Sequence, residues 1–440
     1  MGRGDLTRRE LLAAGAGATF VLVTGCGGSP REEITAAKFP GGTSYDGPPL
    51  TLDFWNGFTG GDGPQMLTII DAFTKEHPNV KVKMVTARWE DFYTKFPAAI
   101  SSGKGPDVAV AHSDQLPINA AHGSIVPLDD LVADLGLSES DFAADVWQAG
   151  IYQDRRYGVP LDMHPLGMYV NTKVLKDAGL DPEDPPKDRA SYEAALKKLK
   201  SKGIQGSWAS PFLFTGGLQF QSLLWQFGGE LVNVDGSRAS WNEEPGVEAL
   251  SWMKSLIDNG YSPENIGQDA DNIAFKNGES AFMWNGAWGI GDYGATEGFE
   301  WTLTQLPQIG TEKAAWSGSH NFVVPRNNKP DANRLLAAKV FIDFVTQSPA
   351  WAEAGQVPAR TNARESEEFK KLEAQSALAE EVPYVRFPPP VPGLADVRES
   401  TLDQAIAQAL GGSAPVKEAL EDSAKRANQL LKFNHEKYAA

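Results

Sequence analysis

From residue 50 onward the apolar positions switch between a period of two and a period near 3.6. Leu50, Leu52 and Phe54 alternate with Thr51, Asp53 and Trp55, which predicts a strand. The run Asn56-Gly57-Phe58-Thr59-Gly60-Gly61-Asp62-Gly63-Pro64 turns that strand into a loop. Met66, Ile69, Ile70 and Phe73 then fall on one face of a helix that Pro64 can start and Pro78 must stop. Val80, Val82 and Met84 alternate again. Phe92, Phe96 and Ile100 give a second helical stripe, with a kink expected at Pro97, and Val108-Ala109-Val110-Ala111 suits a strand buried on both faces. Successive βα units imply a parallel, doubly wound α/β sheet whose ligand loops follow the carboxyl ends of the strands. The candidate loops are 56–63, 87–91 and 112–115. Further on, the pattern predicts a strand over 166–171, a helix ending at Gly179, a Pro-rich loop over 181–188 and a helix over 192–202. An Asp235-Gly236 hairpin, a helix with Leu250, Met253, Leu256 and Ile257, strands over 301–306 and 321–324, and a long helix over 333–347 follow.

The first 25 residues read as an address rather than as fold. Arg3, Arg8 and Arg9 precede a mostly apolar stretch, 11–23, that is too short to span a bilayer as a helix. Thr7-Arg8-Arg9-Glu10-Leu11-Leu12 resembles a twin-arginine export signal, and Val23-Thr24-Gly25-Cys26 resembles a bacterial lipobox. The expectation is signal cleavage before Cys26, lipidation of Cys26, and an extracytoplasmic protein anchored to the cell membrane. Residues 26–48, rich in Gly, Pro, Ser and Thr, read as a flexible tether.

Composition removes several functions. The 440 residues carry 57 acidic and 40 basic side chains, a net charge of −17, which offers no footprint for a nucleic-acid backbone. One Cys excludes an internal disulfide and a Cys-rich zinc site. No G-x-S-x-G elbow, H-E-x-x-H or P-loop occurs, and the six His are dispersed, so neither catalysis, cofactor nor metal is expected.

Aromatic residues beside glycines and amides stand out in loops: Trp55-Asn56-Gly57, Arg88-Trp89-Glu90-Asp91, Trp284-Asn285-Gly286-Ala287-Trp288 and Trp316-Ser317-Gly318-Ser319-His320. An indole stacks on the C–H face of a pyranose while polar groups take its hydroxyls, so these segments suit a sugar. Trp284, Trp288 and Trp316 read as cleft rings, Trp147, Trp225, Trp252 and Trp351 as core, and Trp55 and Trp89 as either. Asp62, Asp114 and Asp162 either accept hydroxyl hydrogen bonds or cap turns. His112, His164 and His320 either bind a ligand or satisfy a local backbone group, and Arg360 is either a bidentate donor or half of an ion pair.

Several segments, in order, resemble the extracellular solute-binding proteins of ABC sugar importers, family 1, which includes the maltose and glycerol-phosphate binding proteins. They are Leu52-Asp53-Phe54-Trp55 with Gly60-Gly61, Ala72-Phe73 to Val82, Gly105-Pro106-Asp107-Val108, Pro127-Leu128-Asp129, Tyr157-Gly158-Val159-Pro160, Tyr169-Val170-Asn171, Ala274 to Gly278, Met283-Trp284-Asn285-Gly286, and Gly355 to Arg360. The resemblance implies a periplasmic-binding-protein-like fold of type II: two α/β lobes, a ligand between them and hinge closure. It implies crossings near 161–164, 301–306 and 347–358, hence a first lobe of 49–161 with 304–347 and a second of 162–303 with 348–440. It puts Asn56, Thr59, Asp62, the 112–114 loop, Asp162, Trp284, Asn285, Trp288, Gly318 and Arg360 around the ligand. Val170 stands where the family more often has a second aromatic. The expected function is capture of a carbohydrate, a neutral oligosaccharide first, by a monomer that delivers it to the transmembrane subunits of an ABC permease. A secreted glycoside hydrolase and a binder of a glycerol phosphodiester are the alternatives.

Overall fold

The computed structural model describes residues 38–210, 215–267 and 269–438. The export signal and Cys26 lie outside the described residues. Part of the expected tether does not: Phe39 and Tyr45 are buried in the core that follows, and Lys339 Nζ donates to the carbonyl of Pro40 at 2.5 Å. Two aromatic rings gain more by burial than a spacer would by staying free.

The strand–helix alternation takes the form its spacing predicts. Strand β1 (Leu50–Asn56) pairs in parallel with β2 (Val80–Thr86) and β3 (Val108–His112), joined by helices α1 (Asp62–Glu76) and α2 (Trp89–Ser101). Helix α1 buries Met66, Ile69, Ile70 and Phe73, and α2 buries Phe92, Phe96 and Ile100, the two stripes visible in the sequence. A short hairpin, β4 (Ile151–Tyr152) and β5 (Arg155–Arg156), precedes β6 (Val159–Pro160).

The next strand changes sheets. β7 (Asp162–Asn171) begins two residues after β6 and is buried along its whole length, because it has antiparallel neighbours throughout. These are β8 (Phe282–Gly286), β9 (Trp301–Thr304), β10 (Ala315–Gly318) and, after β11 (His320–Val323), β12 (Val357–Pro358). A last short strand, β13 (Val385–Arg386), adds to β10. The sheets are therefore β2-β1-β3-β11-β6, with β11 the antiparallel member, and a second sheet organised around β7.

The chain returns to the first sheet between Gly318 and His320, not near residue 304. Both β9 and β10 pair with β7, so the second sheet keeps the chain through Gly318. Helix Ala332–Gln347 packs Phe341 on Phe54 and Phe322 over the first sheet, and helices Thr215–Gln226, Glu244–Asp258 and Leu394–Leu410 build the core of the second. The Asp235-Gly236 segment makes its turn, with Asn233 N donating to Arg238 O, but supports only an isolated bridge rather than two strands. Among the described residues no helix is long and apolar enough to cross a membrane.

Candidate functional site

The two places where the chain passes between sheets, 160–162 and 318–320, lie side by side, since Leu161 N donates to His320 O at 2.8 Å. Strand register does the rest. His320 is opposite His112 across β11 and β3, and His164 is opposite Gly318 across β7 and β10. Three histidines that are far apart in sequence thus meet at one point, with ring centroids 4.7 Å (His164–His320), 4.9 Å (His112–His320) and 5.7 Å (His112–His164) apart.

Asp162 lies beneath them, fully buried, with its acceptor positions taken. Its Oδ1 accepts from His320 N at 2.9 Å and pairs with His164 Nδ1 at 3.2 Å. Its Oδ2 accepts from Trp351 Nε1 at 2.7 Å and pairs with His320 Nδ1 at 2.8 Å. Burial alone would raise the carboxyl's pKa; the charge of His320 and the hydrogen bonds from both imidazoles outweigh burial and hold it well below the usual carboxylate range. The remaining ring is held from α2: Tyr93 OH lies 2.6 Å from His112 Nδ1 and accepts from His112 N at 3.0 Å.

Aromatic rings surround this group on both sides. Trp89 stacks on His320 (5.5 Å, 16°) and touches His112 (4.2 Å), while Phe58 meets His320 edge-on at 5.1 Å. From the second sheet, Trp316 and Trp288 lie 6.0 and 6.2 Å from His164 and 6.4 Å from each other. The glycines beside these rings make room for them. A Cβ on Gly57 would come within 2.1 Å of the Trp89 ring, one on Gly286 within 2.0 Å of Trp288, and one on Gly318 within 2.2 Å of His164 Nε2. The sequence motif pairs Gly with Trp so that the protein's own rings can lie on its backbone.

The other candidates divide. Asp62, at the start of α1, accepts from Gly60 N and Gly63 N, each at 3.0 Å. Burial raises its pKa and the nearby charge of His320 partly offsets this, which brings it to the same group. Asp114 is raised by burial, with Arg398 of helix Leu394–Leu410 opposing. Thr59 is exposed in the loop ahead of α1, and Trp55 packs half-buried against the aromatic core under α2. Asn56 is buried and shapes its own turn, its Oδ1 accepting from Phe58 N (3.1 Å) and Thr86 Oγ1 (2.9 Å).

Three residues expected at the ligand are taken up by packing instead. Trp284 is 5% exposed, stacks on Trp252 at 5.7 Å and lies 5.8 Å from Tyr192, because its position on β8 turns it toward the helical core. Asn285 Oδ1 accepts from Gly286 N, and its amide donates toward Tyr293 OH at 3.4 Å. Arg360 is buried and bonds Asp343 Oδ1 at 2.6 Å, an internal ion pair under the first sheet. Tyr169, beside Val170 on β7, is also core, donating to Gly286 O at 2.7 Å.

Sequence reasoning missed Phe58, Tyr93, Trp351 and Arg398. Phe58 sits inside the loop already singled out. For Trp351, its position in a helix-like stretch correctly signals core, but its Nε1 reaches Asp162. A cavity of about 560 Å³ between Leu175, the 181–188 loop and Lys198 lies elsewhere and holds none of these rings.

Burial lowers the pKa of His112 well below its ordinary value, the neighbouring imidazoles of His320 and His164 push it the same way, and burial also lowers that of His164 despite its bond to Asp162. A lowered histidine pKa means the unfolded chain binds more protons below about pH 6.5, so stability present above that pH is lost on acidification. The raised carboxyls of Asp403, at about 6, and Glu381 act in the opposite sense. The comparison of wild type with His112→Gln isolates one imidazole. Wild type should lose stability relative to the variant by up to about 1.4 kcal/mol per pH unit below pH 6.5, read by urea unfolding between pH 7.5 and 5.5. A pH-independent difference would remove the neutral, enclosed imidazole.

Residues 68–377 match the model of a family described as bacterial extracellular solute-binding protein. The chain is 23% identical over 418 residues to the sn-glycerol-3-phosphate-binding periplasmic protein UgpB of Escherichia coli K12, covering 87% of this chain and 92% of that one. Among solved structures it is similar to the cyclic alpha-maltosyl-1,6-maltose binding protein from Arthrobacter globiformis, with a TM-score of 0.75 and 25% identity, over 88% of this chain and 100% of that one. It is also similar to UgpB from Mycobacterium tuberculosis in complex with glycerophosphocholine, with a TM-score of 0.73 and 22% identity, over 88% and 98%.

Proposed function

From a chain that belongs to the bacterial extracellular solute-binding proteins, we propose a receptor that captures a neutral oligosaccharide between its two lobes and hands it to an ABC permease. The observation that carries this reading is the junction of the two sheets. There Trp89 and Phe58 from one side and Trp288 and Trp316 from the other face a shared floor of imidazoles. Trp89 and Trp288, the two partly exposed rings, supply stacking planes for a pyranose over buried Phe58 and Trp316, and Asp62, Asp114 and the imidazoles supply polar edges. A solute shifts an open–closed equilibrium only if it contacts the closed form better, so both lobes must contribute. The proposed first lobe is 49–161 with 319–347, and the second is 162–318 with 348–440. The twin-arginine and lipobox patterns support export and a lipid anchor on Cys26, and the mature protein is proposed to act as a monomer.

Trp288→Ala is expected to weaken sugar binding at least tenfold while the unfolding midpoint moves little. Isothermal titration of a soluble Cys26→Ala form against maltooligosaccharides and other mono- and oligosaccharides checks it. The loss corresponds to about 1.4 kcal/mol, within reach of one stacked ring and its buried area. Unchanged affinity would take Trp288 out of the site.

A second reading, a glycerol phosphodiester, is favoured by Arg398, a buried cation facing Asp114. Arg398 already pairs with Asp403 at 3.4 Å and lies 3.8 Å from Glu399, which leaves less positive charge for a phosphate. The neutral sugar therefore ranks first, and glycerophosphocholine is the second arm of the same titration.

A further inference from the structure

We propose that Asp162, His164 and His320 form a binding site for a divalent metal ion of the zinc class. One carboxylate oxygen and one ring nitrogen from each histidine all lie within 4.8 Å of one another. Tetrahedral zinc, with bonds of about 2.0–2.2 Å to imidazole nitrogen and carboxylate oxygen, holds its ligand atoms roughly 3.3 Å apart. His164 Nδ1 lies 3.2 Å from Asp162 Oδ1 and His320 Nδ1 lies 2.8 Å from Oδ2, so the two imidazoles reach the two oxygens of one carboxylate, and an ion held among them would replace both hydrogen bonds. One carboxylate with two imidazoles suits zinc and its neighbours better than calcium or magnesium, which require a shell of oxygens.

The supports around the three residues are those that a metal site needs. Trp351 Nε1 and His320 N donate to the two carboxylate oxygens and fix the carboxylate's orientation. Each ligating ring must carry its proton on Nε2: a neutral ring moves it there from Nδ1 through solvent with no net release, and a protonated ring releases its Nδ1 proton to solvent as the metal binds. Two neutral imidazoles and one carboxylate then hold the dication. His112, with its ring 4.9 Å from His320, is the nearest further imidazole for a fourth position, which water could otherwise fill. The ligands come from β7 of one sheet and β11 of the other, so the ion would cross-link the two crossings. This inference does not depend on which solute the cleft takes.

The test uses untagged, chelator-stripped protein and Co²⁺ alone as the probe. Cobalt held by two imidazoles and a carboxylate in a four- or five-coordinate site absorbs visibly, whereas hexaaquo cobalt is nearly colourless. The expected result is one ion per chain with a visible band, at least tenfold weaker binding in His320→Ala and in His164→Ala, and no change in His435→Ala, an exposed control on the last helix. Circular dichroism checks that the variants fold. X-ray absorption of the zinc-loaded wild type, expected to count two imidazoles, needs no variant. No band at saturating cobalt, a band unchanged in both variants, or fewer than two imidazoles at the zinc would each overturn the proposal.

Discussion

Asp162→Ala is expected to lose about 4 kcal/mol or more of folding stability, since it leaves four buried donors without their acceptor and each such orphan costs about 1–3 kcal/mol. The expectation is unusual for a single carboxylate. It follows from the place where the residue sits: β7 starts there, both crossings pass there, and donors arrive from β7, β11 and the Pro349–Ala354 turn at once. Asp162→Asn should lose less, because one amide oxygen can still accept from two of the four. Urea unfolding of the three proteins at neutral pH measures the series. A loss under about 1 kcal/mol for Asp162→Ala would mean that the crossings are held by packing alone.

Trp284→Ala is expected to cost about 3–5 kcal/mol, as large-to-small substitutions of buried aromatic residues do. The indole stacks on Trp252, borders Tyr192 and lies in the core built by helices Thr215–Gln226 and Glu244–Asp258, so its removal leaves a void in close-packed surroundings. Trp284 and Trp288 are near neighbours in one motif, yet opposite outcomes are expected. The first substitution should act on stability with modest change in sugar affinity, and the second on affinity with modest change in stability. Denaturant unfolding and calorimetric titration of both variants separate the cases, and a swap of the two outcomes would reverse the assignment of the two rings.

This pair of residues shows what a linear chain discloses. Helical spacing of Met66, Ile69, Ile70 and Phe73 and the alternation in 50–54 are local properties, and the first three βα units follow from them. Gly-flanked indoles are visible as a motif, but the face of β8 that Trp284 takes depends on a register with β7 that pairs it with Met168, whereas Trp288 lies past the strand's end at Gly286. The meeting of Asp162, His164 and His320 is invisible in sequence for the same reason. Those residues lie on two strands that different sheets claim, and only the adjacency of two crossings brings them together. The return at Ser319 rather than near residue 304 has this origin too, because strand-like patterning marks a strand without naming its partner. Arg360 reads in the sequence as a ligand donor or as half of an ion pair, and the buried pair with Asp343 makes it the second.

The glycines under the rings limit how such a receptor can diversify. Any side chain at Gly57, Gly286 or Gly318 would occupy the volume that Trp89, Trp288 and His164 now fill. Substitutions there evict a platform rather than adjust it, whereas exchanging the rings themselves leaves the backbone beneath them intact. Descendants of this protein that acquire new preferences are therefore expected to keep these three glycines and vary the aromatics, which makes the ring positions, and not their seats, the productive targets for a saturation library.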